Sequence, residues 1–207
     1  MTITEIVDMT KSRVRVAIDG EFAFVLYKGE LAAYGIEEGR ELSEKAYHEI
    51  MTVLLPKRAK LRAMNLLKGR SYTTAQLREK LNVGEYPEQI INEAIDYVAS
   101  YGYLNDRQYA ADFIEYNKET KSKKRIITDL LKKGIPGALI EEVWEETVGN
   151  SRQELEQEQI LRWMEKKHFS AQTAAPEELR RMTAFLYRKG FSIESIRSAL
   201  LLDITIN

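Results

Sequence analysis

The strongest constraint on the fold is a self-similarity. Leu130-Leu131-Lys132-Lys133-Gly134-Ile135-Pro136 leads into Leu139-Ile140 and Val143-Trp144. Fifty-six residues later, Leu186-Tyr187-Arg188-Lys189-Gly190-Phe191-Ser192 leads into Ile193, Ile196 and Ala199-Leu200. Each stretch reads as a helix, a Lys-Gly stop, an apolar residue, a helix-start residue, and a second helix with apolar positions three and four apart. Glycine after the last turn supplies a left-handed cap, and lysine before it suits the negative end of the helix dipole. Pro136 at a helix start costs no hydrogen bond.

A looser copy lies upstream. Thr73-Thr74-Ala75-Gln76 forms a capping box opening a helix to Leu81, and Pro87 starts another that carries Ile91, Ala94, Ile95 and Val98 on one side. Each pair is preceded by a further amphipathic segment: Ala59 to Leu67, Asp106 to Lys118, and Gln153 to Lys167. Residues 57–202 therefore divide into three helix–helix–helix units of about 49 residues. Such units bury their apolar stripes against each other and the next unit. The expected fold is mainly α: three tandem three-helix repeats (57–104, 105–149 and 150–207) in an elongated curved array, behind an N-terminal β-hairpin and helix in 1–56.

Before residue 30 the texture is β-like. Val14, Val16 and Ile18 alternate with Arg13, Arg15 and Ala17, and Asp19-Gly20 separates them from Glu21 to Leu26. Asp-Gly between two such runs predicts a type I′ hairpin. A two-residue loop sets Val16 opposite Ala23 and Val14 opposite Val25, with Arg13 and Arg15 sharing the other face with Leu26 and Phe24. The arginine face either covers aromatic rings with its side-chain stems, the simpler reading, or meets a partner. Thr2 to Met9 is a candidate third strand. Ser43 is expected to cap a helix ending at Pro56.

Composition excludes several classes. The 207 residues balance 31 Lys+Arg against 32 Asp+Glu and contain no cysteine, so a polycationic coat, a disulfide framework and a thiolate metal site are all ruled out. No signal peptide or membrane span is expected, which makes a cytoplasmic protein the default. His48 and His168 have no partner at ligand spacing and are expected to be ordinary surface or satisfied histidines. Gly29 and Gly35 lack the Lys-Ser or Lys-Thr of a phosphate loop, and no Gly-x-Ser-x-Gly elbow occurs. Glu141, Glu142, Glu145 and Glu146 read as a solvated acidic face, not a metal cage. No catalytic residue, metal or cofactor is expected.

Gly102-Tyr103-Leu104-Asn105-Asp106-Arg107-Gln108-Tyr109-Ala110, with Arg125-Ile126 and Leu130 to Ile135, resembles the central signature of the bacterial RecX regulatory proteins. Leu186 to Phe191 with Ile196 resembles that family's C-terminal repeat, and Leu67 to Ser71 with Leu77 and Leu81 its first. The three pieces stand in the family's order across about residues 57–202. Asn105 departs from a usual acidic position, and the stretch Asn117 to Lys124 lacks a glycine often found there. The resemblance implies a three-repeat regulator that binds RecA and its filament on single-stranded DNA. It also implies restraint of filament extension, ATPase, strand exchange and co-protease activity, with no cofactor.

Charge is distributed unevenly along the chain. Residues 57–80 hold eight basic side chains (Lys57, Arg58, Lys60, Arg62, Lys68, Arg70, Arg78, Lys80) against Glu79. Residues 118–133 hold seven (Lys118, Lys121, Lys123, Lys124, Arg125, Lys132, Lys133) against Glu119 and Asp129, whereas 141–158 hold seven glutamates against Arg152. All these cations except Lys80 and Lys118 are taken as filament- or DNA-binding candidates. The simpler reading of any one of them is a solvated helix face. Tyr97, Tyr101, Tyr103, Tyr109, Phe113 and Tyr116 could stack on unpaired bases, but most are expected in the core. Trp144 and Trp163 are expected between repeats two and three. The rival to a RecA regulator is a RecA-independent DNA-binding module of tandem helix-turn-helix type. A monomer is expected.

Overall fold

The computed structural model describes residues 1–205, so the last two positions of the third repeat lie outside the described residues. Two compact units divide after Asn105.

The first unit opens with an antiparallel sheet in the order β1 (Ile3–Asp8), β2 (Arg13–Ile18), β3 (Glu21–Tyr27). The Asp19-Gly20 turn forms as expected, with positive φ at both residues (49° and 87°). The register does not continue as expected. Ala17 pairs with Phe22, then a bulge at Ala23 sets Val16 opposite Phe24 and Val14 opposite Leu26. One inserted residue transfers the rest of β3 to the other face, because side chains alternate with a period of two. Phe24 and Leu26 thus join Val14, Val16 and Ile3 in the core instead of lying beside the arginines. Arg13 and Arg15 stand opposite Tyr27 and Val25, and the Arg15 guanidinium lies 5.1 Å from the centre of the Phe22 ring.

Ser43 caps α1 (Glu44–Glu49), accepting from the Ala46 N–H. The helix does not stop at Pro56. A π turn over Ile50–Leu54 carries the chain straight into α2 (Leu55–Gly69). Widening the coil just before proline relieves the clash between its ring and the carbonyl four residues back, so the chain stays helical where a break was expected. The capping box on Thr73 forms and opens α3 (Thr74–Asn82), which is followed by α4 (Glu88–Ser100). The sheet and these helices share one core, in which Ile3, Val16, Phe24 and Leu26 cluster with Leu55, Leu77, Ile91 and Val98.

The second unit holds two helical triads. The first is α5 (Asp106–Asn117), α6 (Lys123–Lys132) and α7 (Gly137–Thr147). The second is α8 (Arg152–Lys166), α9 (Pro176–Lys189) and α10 (Ile193–Thr205). Each has its own core, around Ile114, Ile126, Leu130 and Trp144 in one and Ile160, Met164, Leu186 and Ile196 in the other. In α2–α4, α5–α7 and α8–α10 alike, the first and third helices are the main packing pair. Trp144 lies within its own triad's core and not between the repeats, whereas Trp163 packs edge-on against Phe185 at 5.4 Å and also faces the junction of the two triads, as expected.

The repeated Lys-Gly stops end α6 and α9, with Gly134 and Gly190 at φ of 82° and 98°. At Gly190 the stop is also a joint. Ser122, at the N-cap of α6, leaves its own helix uncapped and donates its hydroxyl to the Lys189 carbonyl at 2.7 Å. Gln159 of α8 adds bonds to the Lys118 and Lys121 carbonyls.

Candidate nucleic-acid interface

Helix α2 buries Leu55, Pro56, Ala59 and Ala63 at three- and four-residue spacing, which turns most of its basic residues outward. The structure sorts them. Arg58 points back into the protein: its guanidinium meets both Glu30 carboxylate oxygens at 2.6 Å and the Val25 carbonyl at 3.2 Å, over the Tyr27 ring at 4.6 Å. Only 16% of its side chain is exposed, so it ties α2 to the sheet. Lys60 approaches Glu93 at 3.8 Å and the Tyr97 ring. Arg78 is held by Glu88 and, at 2.7 Å, by Asn92. Lys57, Arg62, Lys68, Arg70 and Lys80 are exposed and make no ion pair among the described residues. Arg70 does lie over the Tyr72 ring.

In the second unit Lys123 is largely buried, bonded to Glu141 at 2.6 Å and lying over Trp144. Lys121 and Arg125 converge on Asp129 at 3.0 and 3.2 Å. Burial pushes the Asp129 carboxyl up, but the Lys121 hydrogen bond and the charges of Lys121, Arg125 and Lys132 outweigh it and hold the group below its usual value. Lys133 lies over Tyr109 and Phe113. Lys124 and Lys132 are exposed, with no ion pair among the described residues.

The acidic face of α7 is not simply solvated. Glu142 and Glu146 bond Arg107 at 2.6 and 2.7 Å, raising its pKa, while Glu141 and Glu145 surround Lys123. The bias along the sequence therefore partly cancels in space.

A groove of about 390 Å³ runs between the two triads of the second unit. Lys121, Arg125, Arg188 and Lys189 line it beside the Trp163 ring. Arg188 and Lys189 escaped the sequence-level choice of candidates because their motif reads as a helix stop. Arg13, which has no ion pair among the described residues, lies on the hairpin face for which meeting a partner is the less simple of the two expectations.

The aromatic residues divide. Tyr109 and Phe113 pack on their core as expected. Tyr101, Tyr103 and Tyr116 are exposed, and Tyr101 and Tyr103 stack with centroids 6.1 Å apart. Tyr116 lies on α5, while Tyr101 and Tyr103 follow the end of α4, where Tyr101 meets the Tyr97 ring and Tyr103 shares a pocket with Met64, Leu67 and Lys68 of α2. Among the described residues no His, Asp and Glu cluster is placed to hold a metal ion, and no helix is long and apolar enough to cross a membrane.

Comparisons with known proteins bear on this arrangement. Residues 59–97 match the domain profile described as "RecX, first three-helix domain", and residues 154–200 the one described as "RecX, third three-helix domain". A "Regulatory protein RecX" of Caldanaerobacter subterraneus subsp. tengcongensis is 36% identical over 97% of this chain and 98% of its own. One of Clostridium botulinum (strain Eklund 17B / Type B) is 27% identical over 97% and 94%. A crystal structure of regulatory protein RecX superposes with a TM-score of 0.63 over 100% of this chain and 99% of its own, at 22% identity. That of RecX from Lactobacillus salivarius gives 0.63 over 74% and 98%, at 20%.

Proposed function

Because the chain belongs to the RecX family of regulatory proteins, we propose that it regulates the RecA recombinase by binding its filament on single-stranded DNA. The action is restraint by occupancy: the bound protein limits filament extension, ATPase, strand exchange and co-protease activity without a catalytic step. The observation that carries this reading is a set of exposed cations on each unit that make no ion pair among the described residues. Lys57, Arg62, Lys68, Arg70 and Lys80 belong to one set, and Lys124, Lys132 and Arg188 to the other. Exposed cations without carboxylate partners are the ones available to phosphates or an acidic protein surface. Lys121 and Arg125 contribute through the groove, where Asp129 neutralises one of their two charges. Arg58, Arg78 and Lys123 hold the fold, and Lys60 and Lys133 are engaged with rings.

The test is the single-strand-dependent ATPase of RecA on preformed filaments, with the protein added below one per RecA subunit at low and moderate salt. Suppression that weakens as salt rises supports the reading. Unchanged ATPase with retained binding to bare duplex at moderate salt would transfer the function to a RecA-independent helix-turn-helix module. The protein is expected to act as a cytoplasmic monomer.

A further inference from the structure

Within the first unit a pocket of about 310 Å³ lies between the sheet, α2 and the turn after α3. Arg13, Tyr27, Arg62, Lys80 and Tyr86 line it, beside Gly84. No carboxylate is among the lining residues. Of the acids beside lining residues in sequence, Glu85 is engaged with Arg15 at 2.6 Å and Glu30 with Arg58, while Glu79, next to Lys80, is exposed and does not line the pocket. Arg13, Arg62 and Lys80 make no ion pair among the described residues. The pocket therefore offers two guanidinium groups, one ammonium and two phenols.

Three of these features are built in. Arg13 stands directly opposite Tyr27 in the β2–β3 ladder, so the pair is placed by the sheet. Arg58 lies over Tyr27 and holds that ring against α2. Gly84 admits the Tyr86 ring: a β-carbon there would stand 2.7 Å from it. The charges reach the phenol as well. Burial raises the Tyr86 pKa, and Arg58, Arg62 and Arg13 act against that rise.

Like charges gathered around one concavity repel each other until an anion sits among them, and guanidinium forks match phosphate oxygens with paired hydrogen bonds. We propose that this pocket is a seat for one phosphate group, reached by a nucleic-acid strand as a single phosphodiester. The sheet is then part of the binding surface. This deepens the filament reading by naming the group that the first unit grips. Its test contains no recombinase, so the two ideas fail separately.

The full chain, with labelled tyrosine and arginine side chains, is titrated with inorganic phosphate and separately with a twelve-residue oligothymidylate while NMR follows Tyr86 and the Arg13 and Arg62 guanidiniums. Saturable shifts at all three with the oligonucleotide, and the same resonances moving more weakly with phosphate, are expected. Arg13→Gln/Arg62→Gln/Lys80→Gln should weaken oligonucleotide binding about tenfold and lower the salt slope by about 0.7, the share of one phosphate on a single strand. The control Lys57→Gln/Lys68→Gln/Arg70→Gln should leave the pocket shifts intact. Movement with inorganic phosphate alone would support the seat but assign it to a free phosphate. Stationary pocket resonances with both probes, or unaltered oligonucleotide binding by a pocket variant of normal circular dichroism, would overturn it.

Discussion

Gly190→Ala should be among the most damaging single-methyl additions to this protein, for two separable reasons. The residue sits at φ +98°, a conformation costing a side-chain-bearing residue about 1–2 kcal/mol. The added carbon would also stand 2.7 Å from Ser122 Oγ and 3.3 Å from Lys124 Cβ. The serine must turn away and release the Lys189 carbonyl, losing a hydrogen bond worth about 1 kcal/mol. The expected total is about 2–3 kcal/mol. Gly102→Ala is the matched control: φ is +73°, but nothing stands within 4 Å of the added carbon, so about 1 kcal/mol is expected. Urea unfolding followed by circular dichroism, with hydrogen exchange at α9 and α10, measures both. Ser122→Ala alone should cost about 1 kcal/mol, yet add nothing to Gly190→Ala, because the bond is already lost. Equal costs for the two glycine variants, or strict additivity with Ser122→Ala, would refute the idea that this stop is a joint between triads.

Other outcomes follow from the sorting of charges. Arg58→Ala should destabilise the first unit by about 2–3 kcal/mol, since it leaves Glu30 half-buried and unpaired, while Lys57→Ala one position away should cost less than about 0.5 kcal/mol in thermal unfolding. Lys57→Glu/Lys68→Glu/Arg70→Glu should abolish RecA-filament binding in a sedimentation assay without changing circular dichroism, whereas reversing any one of them should have a small effect. Asp129 titrates below its unfolded value of about 3.8, so its stabilising contribution is complete above that pH and disappears as pH falls through the lower folded value. The stability gap between the native protein and Asp129→Asn, measured by urea unfolding from pH 7 to pH 2.5, should close only below about pH 4.

The helices were legible because each carries local signals: apolar spacing, the Thr73 box, and glycines after α6 and α9. The bulge at Ala23 was not. An extra residue in a strand leaves no mark in a run that alternates plausibly in either register, and only packing of Phe24 and Leu26 decides. Pro56 misled because proline normally ends a helix, whereas the π turn that absorbs it has no recognisable composition. The candidate interface was legible as an excess of lysine and arginine, but not as individual roles. Arg58 and Glu30 are 28 positions apart, and Lys123 and Glu141 are 18 apart. A count along the chain cannot tell these engaged cations from Lys57 or Lys124.

The single core shared by the sheet and α2–α4 has a consequence for how the chain is made. Ile3, Val16, Phe24 and Leu26 leave the ribosome early, yet Ile91 and Val98, which close over the same core, are about 65 to 95 residues behind. At roughly 5–20 residues per second, that apolar sheet face waits several seconds for its cover. The triads that follow each complete a core within their own few dozen residues. Early chaperone contact, and any aggregation of truncated chains, should therefore concentrate on nascent lengths short of α4.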